Sequence, residues 1–252
     1  MEIIMVFFLV FVRVSTFFLA GPLLGLRTIP ALFKVGIAFI MALAVLPLVN
    51  TGGGEYLQGW NFFLSLTAEA GMGLSLGFMS GLLLNGIRVA GQLVDAQIGY
   101  AMASMMDPVS GSQNTLLAEF LYLLGMVFFF NINGHHLLVL SLVNSYQILP
   151  LAGAHMSGDA LEVMVKSFAA MFLLALQISA PVLAVMVICD VGLGFLARTV
   201  PQVNVFMLGF HLKIIVGLLI LSAIIPLLGA SMAGLTGMME RDLSLLLKAL
   251  VK

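Results

Sequence analysis

Apolar residues fall into six long runs, at 3–26, 29–49, 62–87, 116–149, 161–189 and 203–228. Most reach the roughly 20 residues that a helix needs to cross a bilayer, and the pattern predicts an all-α chain. Breakers stand at the run boundaries: Pro22, Pro30, Pro47 followed by Gly52, Gly53 and Gly54, Pro108, Pro150, Pro201 and Pro226, since proline ends or kinks a helix. Several connections are short, which favours antiparallel hairpins. One stretch interrupts the pattern. Residues 91–120, GQLVDAQIGYAMASMMDPVSGSQNTLLAEF, carry Gln92, Asp95, Gln97, Asp107, Ser110, Ser112, Gln113, Asn114 and Glu119 between apolar flanks. Each unpaired polar group costs kilocalories in hydrocarbon, so this segment must line water, protein or a pore.

Within the third run Gly73, Gly77 and Gly81 recur every four residues. That spacing stacks three bare patches on one helix face and predicts a seam where another backbone approaches closely. Gly86 and Gly91 continue the glycine richness off the strict period and would permit bending. The tail from Ser231 to Lys252 puts Leu235, Met239, Leu243, Leu246, Leu247 and Leu250 on one helical face, which should lie against a membrane or a partner. The loop at 150–160 is the natural division between an N-terminal part and a C-terminal helical hairpin. No internal repeat, low-complexity tract or soluble domain is evident.

Composition places the chain in the membrane class. Of its 252 residues 62% are hydrophobic and only 8% charged, against about half and a quarter in soluble domains. Ten Lys and Arg balance eleven Asp and Glu, so nothing points to nucleic acid. The lone Cys189 excludes an internal disulfide, and no Cys/His spacing suits zinc. With Glu2 at the start and Arg13 inside the first run, the N-terminus reads as a retained helix instead of a signal peptide. Under simple alternation Arg27, Lys34, Arg88 and Arg198 fall on one side and Arg241, Lys248 and Lys252 on the other, a balance that fixes no orientation. Arg13, Glu69, Glu119, Lys166 and Lys213 sit inside apolar runs; such charges are rare unless buried in protein or facing a cavity. The helices therefore need not span as simple lipid-facing rods.

Five features invite chemical readings. Gly73-Leu74-Ser75-Leu76-Gly77 fits G-x-S-x-G, but a hydrolase needs that serine on a strained strand-to-helix turn beside a histidine. In an apolar helix it reads as a glycine seam with a serine bonded to its own backbone. An intramembrane serine protease would have to use His135, His136 or His211. His135 and His136 are adjacent, so on a helix their rings point about 100° apart and make a poor chelate; no metal or cofactor site is expected. Met102, Met105 and Met106 share one face at i, i+3 and i+4. A methionine face is ordinary core material, yet beside a polar run it also suits a seal, because the side chain is deformable and can yield to an irregular passenger. Asp107-Pro108-Val109-Ser110-Gly111-Ser112-Gln113-Asn114 then reads as a turn and flexible loop, either a plain connector or an obstruction entering an aqueous conduit. Asp190 and Arg198, eight residues apart, suit a structural role better than a conducting one.

These residues resemble the FliR family of the bacterial flagellar type III export apparatus, which has counterparts in virulence secretion systems. The likeness rests on GQLVDAQIGYAMASMMDPVSG, on NGHHLL, on Leu149-Pro150 with Gly153, and on LARTVPQVNVFMLGFHLKIIVG, with Arg13, Pro22 and Ile29-Pro30. It covers nearly the whole chain. One departure is His211 after Gly209-Phe210, where family members often carry proline; another is that aromatics can stand in place of Met102 and Met105.

The resemblance implies an all-α subunit of bent helical hairpins, buried in a hetero-oligomeric helical export gate of the bacterial inner membrane and flagellar basal body. It implies one copy beside FliP and FliQ, with FlhB associated and unfolded flagellar proteins as cargo. Residues 1–155 would be the FliP-like part and 156–252 the FliQ-like hairpin and tail. Met102, Met105 and Met106 would seal the pore, and residues 107–114 would plug it. A secondary transporter of a small solute or ion is the competing class, suggested by Glu69, Glu119, Lys166 and the interrupted helices.

Overall fold

In the computed structural model, residues 2–23, 29–49, 59–99, 115–153, 157–200, 202 and 204–251 are described. Among them are seven α-helices: α1 (Glu2–Ala20), α2 (Ala31–Val45), α3 (Gly59–Ile98), α4 (Leu116–Asn131), α5 (Gly134–Ile148), α6 (Gly158–Thr199) and α7 (Val205–Val251). A short 3-10 turn, Leu46–Leu48, follows α2, and no strand occurs among the described residues. Five of the helical stretches are long and apolar enough to cross a membrane, or six if the broken pair α4 and α5 counts as one span.

Helix boundaries differ from the sequence pattern in three places. First, α3 is 40 residues long, reaching beyond the run at 62–87 to include Arg88, Gly91 and Asp95. Gly86 serves close packing: a Cβ there would meet the Met171 side chain at 3.1 Å. Second, Pro226 does not end a helix. It lies inside α7, as Pro181 lies inside α6, and apolar membrane helices tolerate proline where neighbours and local adjustment satisfy the freed carbonyl. Third, the run 116–149 is two helices. Asn133 takes a left-handed backbone, φ 60°, which asparagine tolerates better than most residues, and His135 and His136 then open α5.

Contacts divide the chain into two compact units. One comprises residues 1–83, 133–169 and 234–252; the other comprises 84–132 and 170–233. The first unit has a core of Leu9, Val10, Phe17, Leu76, Leu138 and Leu142, all nearly inaccessible. It also takes in the C-terminal stripe: Met239, Leu243, Leu246, Leu247 and Leu250 are buried within the chain, and Ser157 Oγ donates to the Ala249 carbonyl at 2.7 Å. That stripe was expected against a membrane or partner; the chain's own unit covers it. The second unit is centred on Leu84, Ile87, Ile98, Leu121 and Phe129.

Candidate functional site

The first unit is held by a buried ion pair on the glycine seam. On α3, Gly73 and Gly77 press against the backbone of α1. A Cβ at Gly73 would collide with Thr16 Oγ1 and the Arg13 carbonyl, and one at Gly77 would stand 2.5 Å from the Phe17 carbonyl. Gly81, one turn further, is also buried. Residues four apart share a helix face, so Glu69 continues this seam one turn toward the N-terminus of α3, where it meets the Arg13 side chain.

Both charges are fully buried. Arg13 Nε donates to Glu69 Oε2 at 2.5 Å and an Nη to Oε1 at 3.0 Å, the two-pronged geometry that a guanidinium and a carboxylate favour. The other Nη donates to Ser145 Oγ at 3.3 Å and the Leu149 carbonyl at 3.2 Å. Glu69 Oε1 also accepts the Ala152 N–H at 3.0 Å; Ala152 has φ 61°, a left-handed conformation costing on the order of 1–3 kcal/mol outside glycine. The Tyr146 ring lies 4.2 Å from Arg13 Cζ, and its hydroxyl donates to the Val10 carbonyl at 3.2 Å. Both charges are thus saturated with partners, the condition under which a buried pair is tolerable. Such a cluster fixes α1, α3, α5 and the turn after α5; it has no group left over for chemistry.

The second unit uses the polar stretch differently. Gly91 lets the N-terminus of α4 reach α3: a Cβ there would lie 2.8 Å from the Ala118 nitrogen and 2.9 Å from the Leu117 carbonyl. One turn on, Asp95 is fully buried, and its Oδ2 accepts the Ala118 N–H at 3.0 Å. Ala118 is the third residue of α4, where the N–H has no partner inside the helix. Asp95 therefore caps a helix from another element. This holds the two stretches flanking residues 100–114 against each other. Ile98 ends α3, and Gly99 follows it at φ 102°, a conformation open mainly to glycine.

The other charges set inside the apolar runs, Glu119, Lys166 and Lys213, are each paired. Arg88, placed in α3 and not in a loop, lies 3.6 Å from Glu119 and 3.6 Å above the Tyr122 ring. Lys213 pairs with Asp190, which also accepts from Gln97 at 3.4 Å. Lys166 bonds Glu162 at 2.6 Å on an exposed face of α6. An apolar groove of about 870 Å³ runs between α4 and α7, lined mainly by Leu116, Phe120, Leu123, Leu218, Leu221 and Ile225. It suits hydrocarbon or an apolar helix better than a polar solute.

Ser75 of the G-x-S-x-G motif is buried in mid-α3 and donates to the Met72 carbonyl at 2.9 Å, so the strand-to-helix turn of a hydrolase is missing. No group of three His, Cys, Asp or Glu side chains comes together among the described residues. Met102, Met105, Met106 and the loop Asp107, Pro108, Val109, Ser110, Gly111, Ser112, Gln113 and Asn114 lie outside the described residues.

Comparison with known proteins gives one consistent result. Residues 4–239 match the model of the bacterial export proteins, family 1. The flagellar biosynthetic protein FliR of Bacillus subtilis is 37% identical over 218 residues, covering 85% of this chain and 84% of that protein. Those of Caulobacter vibrioides and Escherichia coli are 30% and 27% identical, covering 85% and 86% of this chain and 86% and 82% of those proteins.

Proposed function

The chain belongs to the bacterial export proteins, family 1, and from that premise we propose how it works. It is a membrane-embedded, non-enzymatic component of the flagellar type III export apparatus. In our reading it is a structural and gating subunit of the inner-membrane channel in the flagellar basal body. It joins FliP and FliQ, with FlhB alongside, and passes unfolded flagellar proteins. Residues 1–155 act as the FliP-like part and 156–252 as the FliQ-like hairpin and tail.

The closing device in this reading is residues 102–114. Met102, Met105 and Met106 form a deformable seal, and the loop 107–114 plugs the conduit until export begins. A seal is required because an open wet pore dissipates the membrane potential, worth about 2.3 kcal/mol per unit charge at 100 mV. The observation that carries the reading is family membership over nearly the full chain. It is supported by the Asp95–Ala118 bond and the Gly91 contact, which give the stretches flanking 100–114 a fixed base. Neither a protease nor a solute carrier accounts for this: Ser75 lies in an uninterrupted helix, and the buried Arg13–Glu69 pair is fully used in holding helices together.

Purification of the tagged chain from membranes under mild detergent tests the assignment to a complex. FliP and FliQ should come with it in fixed proportion. A chain recovered alone, and moving a small solute in liposomes by itself, would contradict the reading.

A further inference from the structure

The last turn of α3 is received by a face that α6 and α7 share. Gln97, Ile98 and Gly99 are consecutive, and each meets that hairpin. Gln97 Nε2 donates to Asp190 Oδ2 at 3.4 Å. Ile98, fully buried, fills the space that Gly217 leaves open: a Cβ on Gly217 would collide with the Ile98 side chain and stand 3.3 Å from Met186 Cε. A Cβ on Gly99 would meet the Phe210 ring at 3.3 Å. All of these residues belong to the second unit. The receiving residues recur at helical spacing, Met186 and Asp190 on α6 and Phe210, Lys213 and Gly217 on α7, so each helix turns one face to the end of α3.

Asp190 joins the three helices. Its Oδ1 pairs with Lys213 Nζ, while Oδ2 takes Gln97. Asp190 stands nine positions before the end of α6 and Lys213 eight positions after the start of α7, so the pair ties the two arms at one level of the hairpin. Both helices are otherwise long and apolar, and a charge there whose partner is withdrawn must find water or another partner. One carboxylate is thus used twice, across the hairpin and onto α3. Parting the arms at this level withdraws the acceptor from Gln97 and the notch from Ile98 together.

We propose that this carboxylate clamp makes the α6–α7 hairpin the positioning element for the end of α3, so that spreading of the arms frees that end. Asp190, Lys213 and Gln97 are its positioning residues. The consequence for the channel rests on the closing role proposed for residues 102–114. The end of α3 is where the chain enters 100–114, and the Asp95–Ala118 bond ties the start of α4 to the same part of α3. Both flanks of the closing device therefore hang on the clamp.

Hydrogen–deuterium exchange on the full complex reads the clamp directly. Amides of residues 94–99 should exchange roughly fivefold or more faster in Asp190→Leu, the factor that losing one modest interaction makes. The exchanged pair, Asp190→Lys with Lys213→Asp, should return them toward wild type, because the Gln97 amide can accept as well as donate. Cells carrying the single variant should lose membrane potential, and those carrying the exchanged pair should hold it. If Asp190→Leu fails to assemble, Gln97→Ala, which loses only the bond to Asp190, takes its place with the same expected direction. Unchanged exchange at 94–99 in an assembled variant would overturn the inference. Faster exchange with an undiminished potential, in cells where deletion of 108–114 does leak, would overturn the positioning role and leave the seal standing. A deletion that does not leak would count against the seal alone, and exchange would still decide the clamp.

Discussion

Glu69 and Asp95 are two fully buried acids of one helix, and they are accommodated in opposite ways. Glu69 sits in the first unit with a two-pronged arginine, a backbone N–H and an adjacent aromatic ring. Asp95 sits in the second unit with one backbone N–H and an unclosed contact to a hydroxyl. The first arrangement is closed and permanent, because parting it strands two charges at once. The second loses a single hydrogen bond to the carboxylate when parted. α3 carries both arrangements, since it contributes to both units.

The contrast breaks most severely at the ion pair. Arg13→Ala leaves Glu69 buried without its cation and should cost about 3–5 kcal/mol, seen as rapid loss of the chain from membranes in pulse-chase. Arg13→Met combined with Glu69→Leu should restore much of the level, since well-packed apolar side chains replace such pairs at little cost. Single variants as abundant as wild type would show that the pair holds nothing.

Next in size is the glycine approach. Gly91→Leu drives a side chain into the Leu117 and Ala118 backbone and should cost at least about 1–3 kcal/mol, the usual range for overpacking, read as a lowered Tm of the purified complex. Gly192→Ala is the control: nothing lies within 4 Å of its added Cβ, and its Tm should stay level or rise slightly.

Smaller still is the cap. Asp95→Ala should lower stability by about 1 kcal/mol, as for a lost helix cap, whereas Asp95→Asn, which retains an acceptor for the Ala118 N–H, should stay near wild type. Chemical denaturation of the two variants separates them.

Sequence patterning made the helical class and the glycine seam legible, because both depend on periodicity within one helix. Arg13 and Glu69 were recognisable as charges needing burial, but not as each other's partners. They are separated by 56 positions, and Ser145 lies 132 from Arg13, a pairing set by packing alone. The one local clue was that Glu69 extends the Gly73–Gly77 face. Asp95 was visible only as one polar residue among nine, since a cap supplied from a different helix leaves no signature near the helix it caps. Pro226 misled for a physical reason: the rule that proline ends helices is weakened in long apolar ones, where α7 runs through it.

The central claim, that this subunit helps close a protein-conducting channel, is tested most directly at residues 108–114. Cells carrying that deletion should leak ions, measured as a fall in membrane potential that disappears when the partner subunits are absent. A deletion strain that assembles the complex and holds its potential as tightly as wild type would contradict the account.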